Sequence, residues 1–134
     1  MLNFISSPIG NLNDISLRSI NVLKNSDYIF SEDTRVSSKL LNFAKINKKP
    51  ISFHEHNEKT VTKRIISLLK DDKEVSIMCD AGMPAISDPG FFLIKECIKE
   101  DLKFTVIPGP SSVLNALVLS CLLYTSDAAD DRIC

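Results

Sequence analysis

The chain has 134 residues, 44% of them hydrophobic and 25% charged, with a formal net charge of −1. This length and balance suit one folded domain and exclude a disordered chain, and no apolar run approaches the roughly 20 residues needed to cross a bilayer. The near-neutral charge also excludes a globally basic nucleic-acid binder, so any RNA contact has to be local or lie on another part of the protein.

In chain order, short β-rich runs alternate with amphipathic helical stretches, the pattern of an α/β domain with a largely parallel sheet. The first run, Met1-Leu2-Asn3-Phe4-Ile5, has no basic segment or long apolar stretch before a small-residue site. It reads as a strand rather than a secretory signal, and a cytoplasmic location is expected. Five strands are predicted near Leu2–Ser6, Tyr28–Ser31, Ile51–Phe53, Val75–Cys79 and Phe104–Ile107. Helices fit between and after them at Ile15–Lys24, Val36–Phe43, Glu58–Lys70, Phe91–Lys99 and Ser112–Leu119. In the third helix Val61, Ile65, Leu68 and Leu69 form one apolar stripe, with Lys59, Lys63, Arg64 and Lys70 mostly off it. Asp14 and Asn57 are predicted to cap the first and third helices. In Asp88-Pro89-Gly90 the Asp is predicted to cap and the Pro to take the first helical position.

Cys79, Cys97, Cys121 and Cys134 are irregularly spaced with no C-x-x-C pair, so they read as buried or incidental thiols. The end of the chain breaks the α/β order. Cys121-Leu-Leu-Tyr-Thr-Ser-Asp-Ala-Ala-Asp-Asp131 looks like the translation of a transposase sequencing adapter, so residues 121–134 are expected to be an artefact and residues 1–120 the genuine domain. The tail carries Asp127, Asp130, Asp131 and Arg132, and without it the chain would have a net charge of +1.

Three turn-rich segments follow three strands: Ser7-Pro8-Ile9-Gly10-Asn11-Leu12, Asp80 to Gly90, and Pro108-Gly109-Pro110-Ser111-Ser112. Each joins glycine, which allows close backbone approach, to a helix start that offers free N–H groups. Each would also serve as an ordinary strand-to-helix turn. None is a G-x-G-x-x-G or a Walker loop. Ser31-Glu32-Asp33-Thr34-Arg35 places both charge signs at a strand end, where a carboxylate could orient or deprotonate a hydroxyl and Arg35 could pair with a phosphate. Asp33 or Thr34 would equally cap the next helix. In His54-Glu55-His56-Asn57, strand-like alternation puts His54 and His56 on one side. Two imidazoles are too few for a metal site, so polar contacts to substrate or a helix start are the better reading and no metal is expected.

The five runs P-I-G-N-L-x-D-I (8–15), E-D-T-R (32–35), H-x-H-N-E (54–58), D-A-G-x-P-x-I-S-D-P-G (80–90) and P-G-P-S-S (108–112) resemble, in order and spacing, the small-subunit ribosomal RNA methyltransferase I family of the tetrapyrrole-methylase superfamily. The resemblance covers residues 4 to about 120. It implies the first α/β domain of a two-domain fold, with S-adenosylmethionine held in the cleft between the domains and the second domain missing here. It further implies methyl transfer to a cytidine 2′-oxygen of 16S rRNA in the small ribosomal subunit, with no membrane partner, and leaves room for a homodimer of the full-length protein.

By the same resemblance Pro8, Ile9, Gly10, Gly82, Met83, Ile86, Ser112 and Val113 would face the cofactor. Met83 stands where the family usually has Thr, so contacts there are expected from backbone. A sulfonium methyl is already activated, leaving alignment of the oxygen and removal of its proton to the protein. Asp33, Glu32, His54 and Asp80 are the candidates for that task, and Arg35, His56 and Asn57 those for binding substrate. A small-molecule methyltransferase of the same fold, or a non-catalytic ligand-binding module, would use the same loops.

Overall fold

The computed structural model describes residues 1–86 and 89–122. The expected capping by Asp88 and most of the expected artefact tail lie outside the described residues. The elements run β1 (Leu2–Ile5), a 3₁₀ turn (Leu12–Asp14), α1 (Leu17–Asn25), β2 (Tyr28–Ser31), α2 (Thr34–Phe43), β3 (Ile51–Ser52), α3 (Glu58–Lys70), β4 (Val75–Met78), α4 (Phe91–Lys99), β5 (Phe104–Ile107) and α5 (Ser112–Leu119). The five strands form one sheet in the order β3-β2-β4-β1-β5, and every pairing is parallel.

Strands buried on both faces need apolar or hydroxyl side chains at nearly every position rather than alternation. β1 (LNFI) and β4 (VSIM) are buried throughout. On one face Leu2, Phe4, Phe30, Val75 and Ile77 pack with Ile65 and Leu69 of α3 and Leu93 and Cys97 of α4. On the other, Ile5, Ile29, Met78 and Ile107 pack with Leu23 of α1 and Leu40 and Leu41 of α2. Buried strand serines are paired in hydroxyl couples, Ser76 with Ser26 at 2.5 Å and Ser31 with Ser37 at 2.6 Å, which removes the cost of dry polar groups.

Several helix starts differ from expectation. Asp14 closes the 3₁₀ turn, and α1 is capped by Ser16, whose Oγ accepts from the Ser19 N–H at 3.0 Å. A hydroxyl two residues nearer the helix wins because the cap oxygen has to reach back only to the third amide. Asn57 holds the cap position of α3 but its side chain is used elsewhere: Oδ1 accepts from the His54 N–H at 2.8 Å and Nδ2 donates to the Ser52 carbonyl at 3.2 Å. α4 begins at Phe91 with Gly90 as its cap residue, so Pro89 lies in the preceding turn. Having no side chain, Gly90 cannot cap; Glu58 Oε1 does so from α3, accepting from the N–H groups of Gly90 at 3.0 Å and Phe92 at 3.3 Å.

Cys79 and Cys97 are buried thiols, as expected, whereas Cys121 is disulfide-bonded.

Candidate functional site at the carboxyl edge of the sheet

Because all five strands are parallel, the loops that follow them emerge along one edge, ordered His54 after β3, Glu32 to Arg35 after β2, Asp80 to Ile86 after β4, Pro8 to Gly10 after β1, and Pro108 to Ser112 after β5. The chain leaves β1 across β4 toward β2 and leaves β4 across β1 toward β5, with α1 and α4 on opposite faces. The crevice between β4 and β1 is therefore the topological switch point, where open α/β sheets bind ligands.

Cross-loop hydrogen bonds assemble this edge. Ser7 and Gly82 exchange backbone hydrogen bonds, Ser7 N–H to Gly82 O at 2.9 Å and Gly82 N–H to Ser7 O at 3.0 Å. Gly82 sits at φ +74°, a left-handed conformation that favours glycine. One carboxylate oxygen of Asp80 accepts from the Asp33 N–H at 3.0 Å, joining the loops after β4 and β2. Ser6 Oγ donates to the Pro110 carbonyl at 2.7 Å, joining the loops after β1 and β5. A Cβ on Gly109 would lie 3.0 Å from that of Ser6, so the two loops are in direct contact.

A cavity of about 30 Å³, roughly one water in size, opens between Ser7, Pro8, Ser37, Cys79 and Asp80. The Ser7 hydroxyl is buried and has no hydrogen-bond partner among the described residues.

Asp33 is the N-cap of α2, the structural alternative that its position allowed. Its Oδ1 accepts from the Arg35 N–H at 2.9 Å and from Arg35 Nε at 3.2 Å, while Oδ2 accepts from an Arg35 terminal nitrogen at 3.1 Å. The Arg35 side-chain hydrogen bonds hold the Asp33 carboxyl below the ordinary carboxylate range, and Asp33 in turn raises Arg35. Asp33 is consequently a weak proton acceptor. Asp80 is exposed beside the switch point, and Glu32 lies next to Asp33 with a partner of its own.

His54 and His56 are not on a strand, as their alternation suggested; β3 stops at Ser52 and the two lie in the turn before α3. The last backbone bond to β2 is from the Phe53 N–H to the Ser31 carbonyl at 2.7 Å, after which the Asn57 side chain takes the His54 N–H and the Ser52 carbonyl. The rings still meet edge to face at 5.7 Å, and His54 Nδ1 accepts from the His56 N–H at 3.2 Å, which puts the proton of a neutral His54 on Nε2. With strands about 4.8 Å apart, β3 lies roughly 14 Å from β1, so His54 flanks the switch point rather than facing it.

Pro8 is buried, Ile9 half-buried and Gly10 exposed, with open space where a Cβ would stand. Met83 packs against the α3/α4 core, while Ile86 and Val113 are 77% and 70% exposed. Ser112 opens α5, which Ser111 caps through its Oγ to the Leu114 N–H at 3.3 Å. Among the described residues no group of three or more His, Cys, Asp or Glu could hold a metal ion.

Sequence reasoning missed Glu58, Ser6 and the orphan Ser7 hydroxyl. Glu58 was visible as the end of H-x-H-N-E, but nothing local signals that it reaches 32 residues ahead to Gly90.

The sequence profile of the tetrapyrrole (corrin/porphyrin) methylases matches residues 1–131. The chain belongs to the tetrapyrrole methylases. Among curated relatives, proteins named ribosomal RNA small subunit methyltransferase I from Thermotoga maritima, Halalkalibacterium halodurans and Mycoplasmopsis pulmonis are 45%, 46% and 48% identical to this tetrapyrrole methylase over 89%, 90% and 87% of it. Those matches cover 54%, 42% and 52% of the relatives, so the chain spans about half their length. Solved structures of diphthine synthase and of uroporphyrin-III-C-methyltransferase from Thermus thermophilus superpose with TM-scores of 0.71 and 0.67. Each covers 88% of this chain and 47% or 50% of the other, at 18% and 21% identity, which establishes a shared fold.

Proposed function

We propose that this chain is the amino-terminal part of an enzyme that uses S-adenosylmethionine to methylate the 2′-hydroxyl of a cytidine ribose in 16S rRNA of the small ribosomal subunit. The observation that carries this reading is the identity of 41–48% over roughly 90% of the chain to relatives named for small-subunit ribosomal RNA methylation. That similarity includes relatives distant enough in source to make a chance match untenable. On this reading the gene continues past Ser120 into a second domain and residues 121–134 are adapter-derived. The fragment by itself is inactive because half a cleft leaves a bound ligand largely in water.

The switch point fits a ligand held mainly through backbone groups. It offers an unpartnered Ser7 hydroxyl, the open side of Gly10 and the Ser7–Gly82 bridge, with the start of α5 beside it. When bound there, S-adenosylmethionine supplies an electrophilic methyl group on a sulfonium. Pro8, Ile9, Gly10, Gly82, Met83, Ile86, Ser112 and Val113 would border it. The protein's task is to orient a ribose hydroxyl and take its proton.

Asp80 is the proton acceptor in this scheme, since it stands exposed at the switch point while Arg35 occupies both oxygens of Asp33. Asp33 holds Arg35 for a backbone phosphate, Glu32 lies beside it, and His54, His56 and Asn57 flank the RNA farther along the edge.

The test incubates the protein encoded by the intact genomic locus with labelled S-adenosylmethionine and either assembled small subunits or a porphyrinoid. Label is expected in ribosomal RNA, and Asp80→Asn is expected to lower the rate far more than Asp33→Asn. Label in the porphyrinoid alone would refute the assignment.

A further inference from the structure

The chain's charge is unevenly distributed. Residues 34–54 hold five cations, Arg35, Lys39, Lys45, Lys48 and Lys49, and no carboxylate, in a protein whose net charge is −1. In the opposite layer α4 and its exit are mixed in sign, with Lys95, Glu96, Lys99, Glu100, Asp101 and Lys103, and α3 carries Lys59, Lys63, Arg64 and Lys70, of which Arg64 lies over the Tyr28 and Phe30 rings and Lys70 pairs with Glu100. The basic segment is also ordered into a surface. The exposed positions of α2 are Arg35, Val36, Lys39, Asn42 and Phe43, one face of the helix, and Lys45, Asn47 and Lys49 continue beyond its end.

This surface is tied to the rest of the fold. Lys45 sits at φ +58° where α2 terminates, and the Lys48 ammonium donates to the carbonyls of Leu23, Lys24 and Ser26, closing the end of α1 and fastening the turn to it. Lys48 is thereby spent on structure. Lys39, Lys45 and Lys49 are exposed, and their ammonium groups have no hydrogen bond or ion pair among the described residues. At the other end, Asp33 and Arg35 anchor the stripe to the carboxyl edge, where the Asp33 N–H is held by Asp80.

We propose that the outward face of α2 and the following turn form an RNA-docking surface that engages the phosphate backbone of a structured RNA leading to the carboxyl-edge site. From Arg35 to Lys45 the surface runs about 15 Å, long enough to meet several successive phosphates. Unpaired lysines contribute point charges without reading bases, while the exposed Asn42 amide and Phe43 ring add a polar and a stacking contact. The affinity of the chain for RNA is therefore local, set by this face rather than by net charge. The proposal rests on the reading that the substrate is RNA.

The test uses the protein encoded by the intact locus, a fluorescent small-subunit ribosomal RNA transcript and vesicles containing phosphatidylserine, with binding measured across a salt series. Lys39→Ala, Lys45→Ala and Lys49→Ala together are compared with Lys95→Ala, Lys99→Ala and Lys103→Ala, which remove the same charge from the opposite layer. The first triple variant is expected to weaken RNA binding roughly 10- to 100-fold at low salt and to lower the slope of log affinity against log salt by about 2 to 3. The second is expected to do neither, with both variants retaining the parent's circular dichroism.

Equal losses in the two variants, or a loss confined to vesicle binding, overturn the surface. Methyl transfer to the same RNA is followed in parallel. Transfer with binding indifferent to Lys39, Lys45 and Lys49 overturns the surface alone, whereas lysine-dependent binding without transfer supports the surface and overturns the proposed reaction.

Discussion

β1 and β4 are buried at every position, whereas β5 and α5, as apolar in sequence, leave Phe104, Val106, Val113, Leu114, Val118 and Leu119 in solvent. α1, α2 and α3 have the more polar compositions and yet bury Leu23, Leu40, Leu41, Ile65 and Leu69. Apolar content thus states what an element can contribute to a core, and coverage by a neighbour decides whether it does. The exposed Val113, Leu114, Leu117, Val118 and Leu119 make α5 an apolar face without cover among the described residues. On our reading of the protein, the second domain covers it.

The widest gap in this comparison is in stability. Phe30→Ala empties a site with no exposure on β2 and should cost about 3–5 kcal/mol, while Leu114→Ala, at 61% exposure, should cost less than about 0.5 kcal/mol in this chain. Urea denaturation of both variants measures it. Similar costs would mean that α5 is packed and that the contrast between the two regions is false.

A second contrast separates the two helix starts at the carboxyl edge. α4 depends on a carboxylate from another element and α5 on its own Ser111. Glu58→Ala should destabilise the domain by about 1–2 kcal/mol and speed amide exchange at Phe92, as the loss of a capping acceptor does. Ser111→Ala should leave global stability nearly unchanged, because α5 has no buried residue. Exchange rates at Phe92 that ignore the Glu58 substitution would mean that Glu58 does not cap α4 in solution.

Cys97 sharpens the same comparison through pH. Burial against the α3/α4 core, with Glu96 adding a smaller repulsion, pushes its thiol from 9.0 up to about 11. A raised thiol pKa makes the folded state hold its proton longer than the unfolded one. The contribution to stability is therefore intact below about pH 9 and lost as pH rises from there toward 11. Alkylation kinetics should show Cys97 inert at neutral pH, reacting only on unfolding. Rapid labelling in the native protein at pH 8 would show that this layer is open.

The smallest effect belongs to Asp33, whose carboxyl is lowered by Arg35. A depressed carboxyl contributes stability above the unfolded value near 3.8, and that contribution fades as pH falls through the lower folded value. Asp33→Asn should keep the cap, since Asn caps well, and abolish only this acid-side dependence. The check is the melting temperature of both proteins between pH 6 and pH 3; unchanged curvature would mean the Arg35 pair contributes nothing in solution.

α3, α4 and α5 occupy the spans that periodicity predicted, because each is a run of helix formers between unmistakable turn residues. α1 starts two residues later than expected because Ser16 was a nearer cap than Asp14. The candidate carboxylates were legible as charges at strand ends. Their relative merit was not, since only the folded chain pairs Asp33 with Arg35 while leaving Asp80 exposed at the switch point.

By itself, the sequence determined the element types, the parallel character of the sheet and the family, since apolar runs, turn residues and motif order are local properties of the chain. The tertiary structure alone decided the strand order β3-β2-β4-β1-β5, and with it which loops meet. It also decided that Glu58 caps a helix 32 residues away, that Lys48 is occupied at the end of α1, and that the Lys39, Lys45 and Lys49 ammonium groups have no partner among the described residues. Those outcomes depend on distances between segments remote in sequence, and hydrogen bonds and ion pairs act only over the few ångströms that folding brings about.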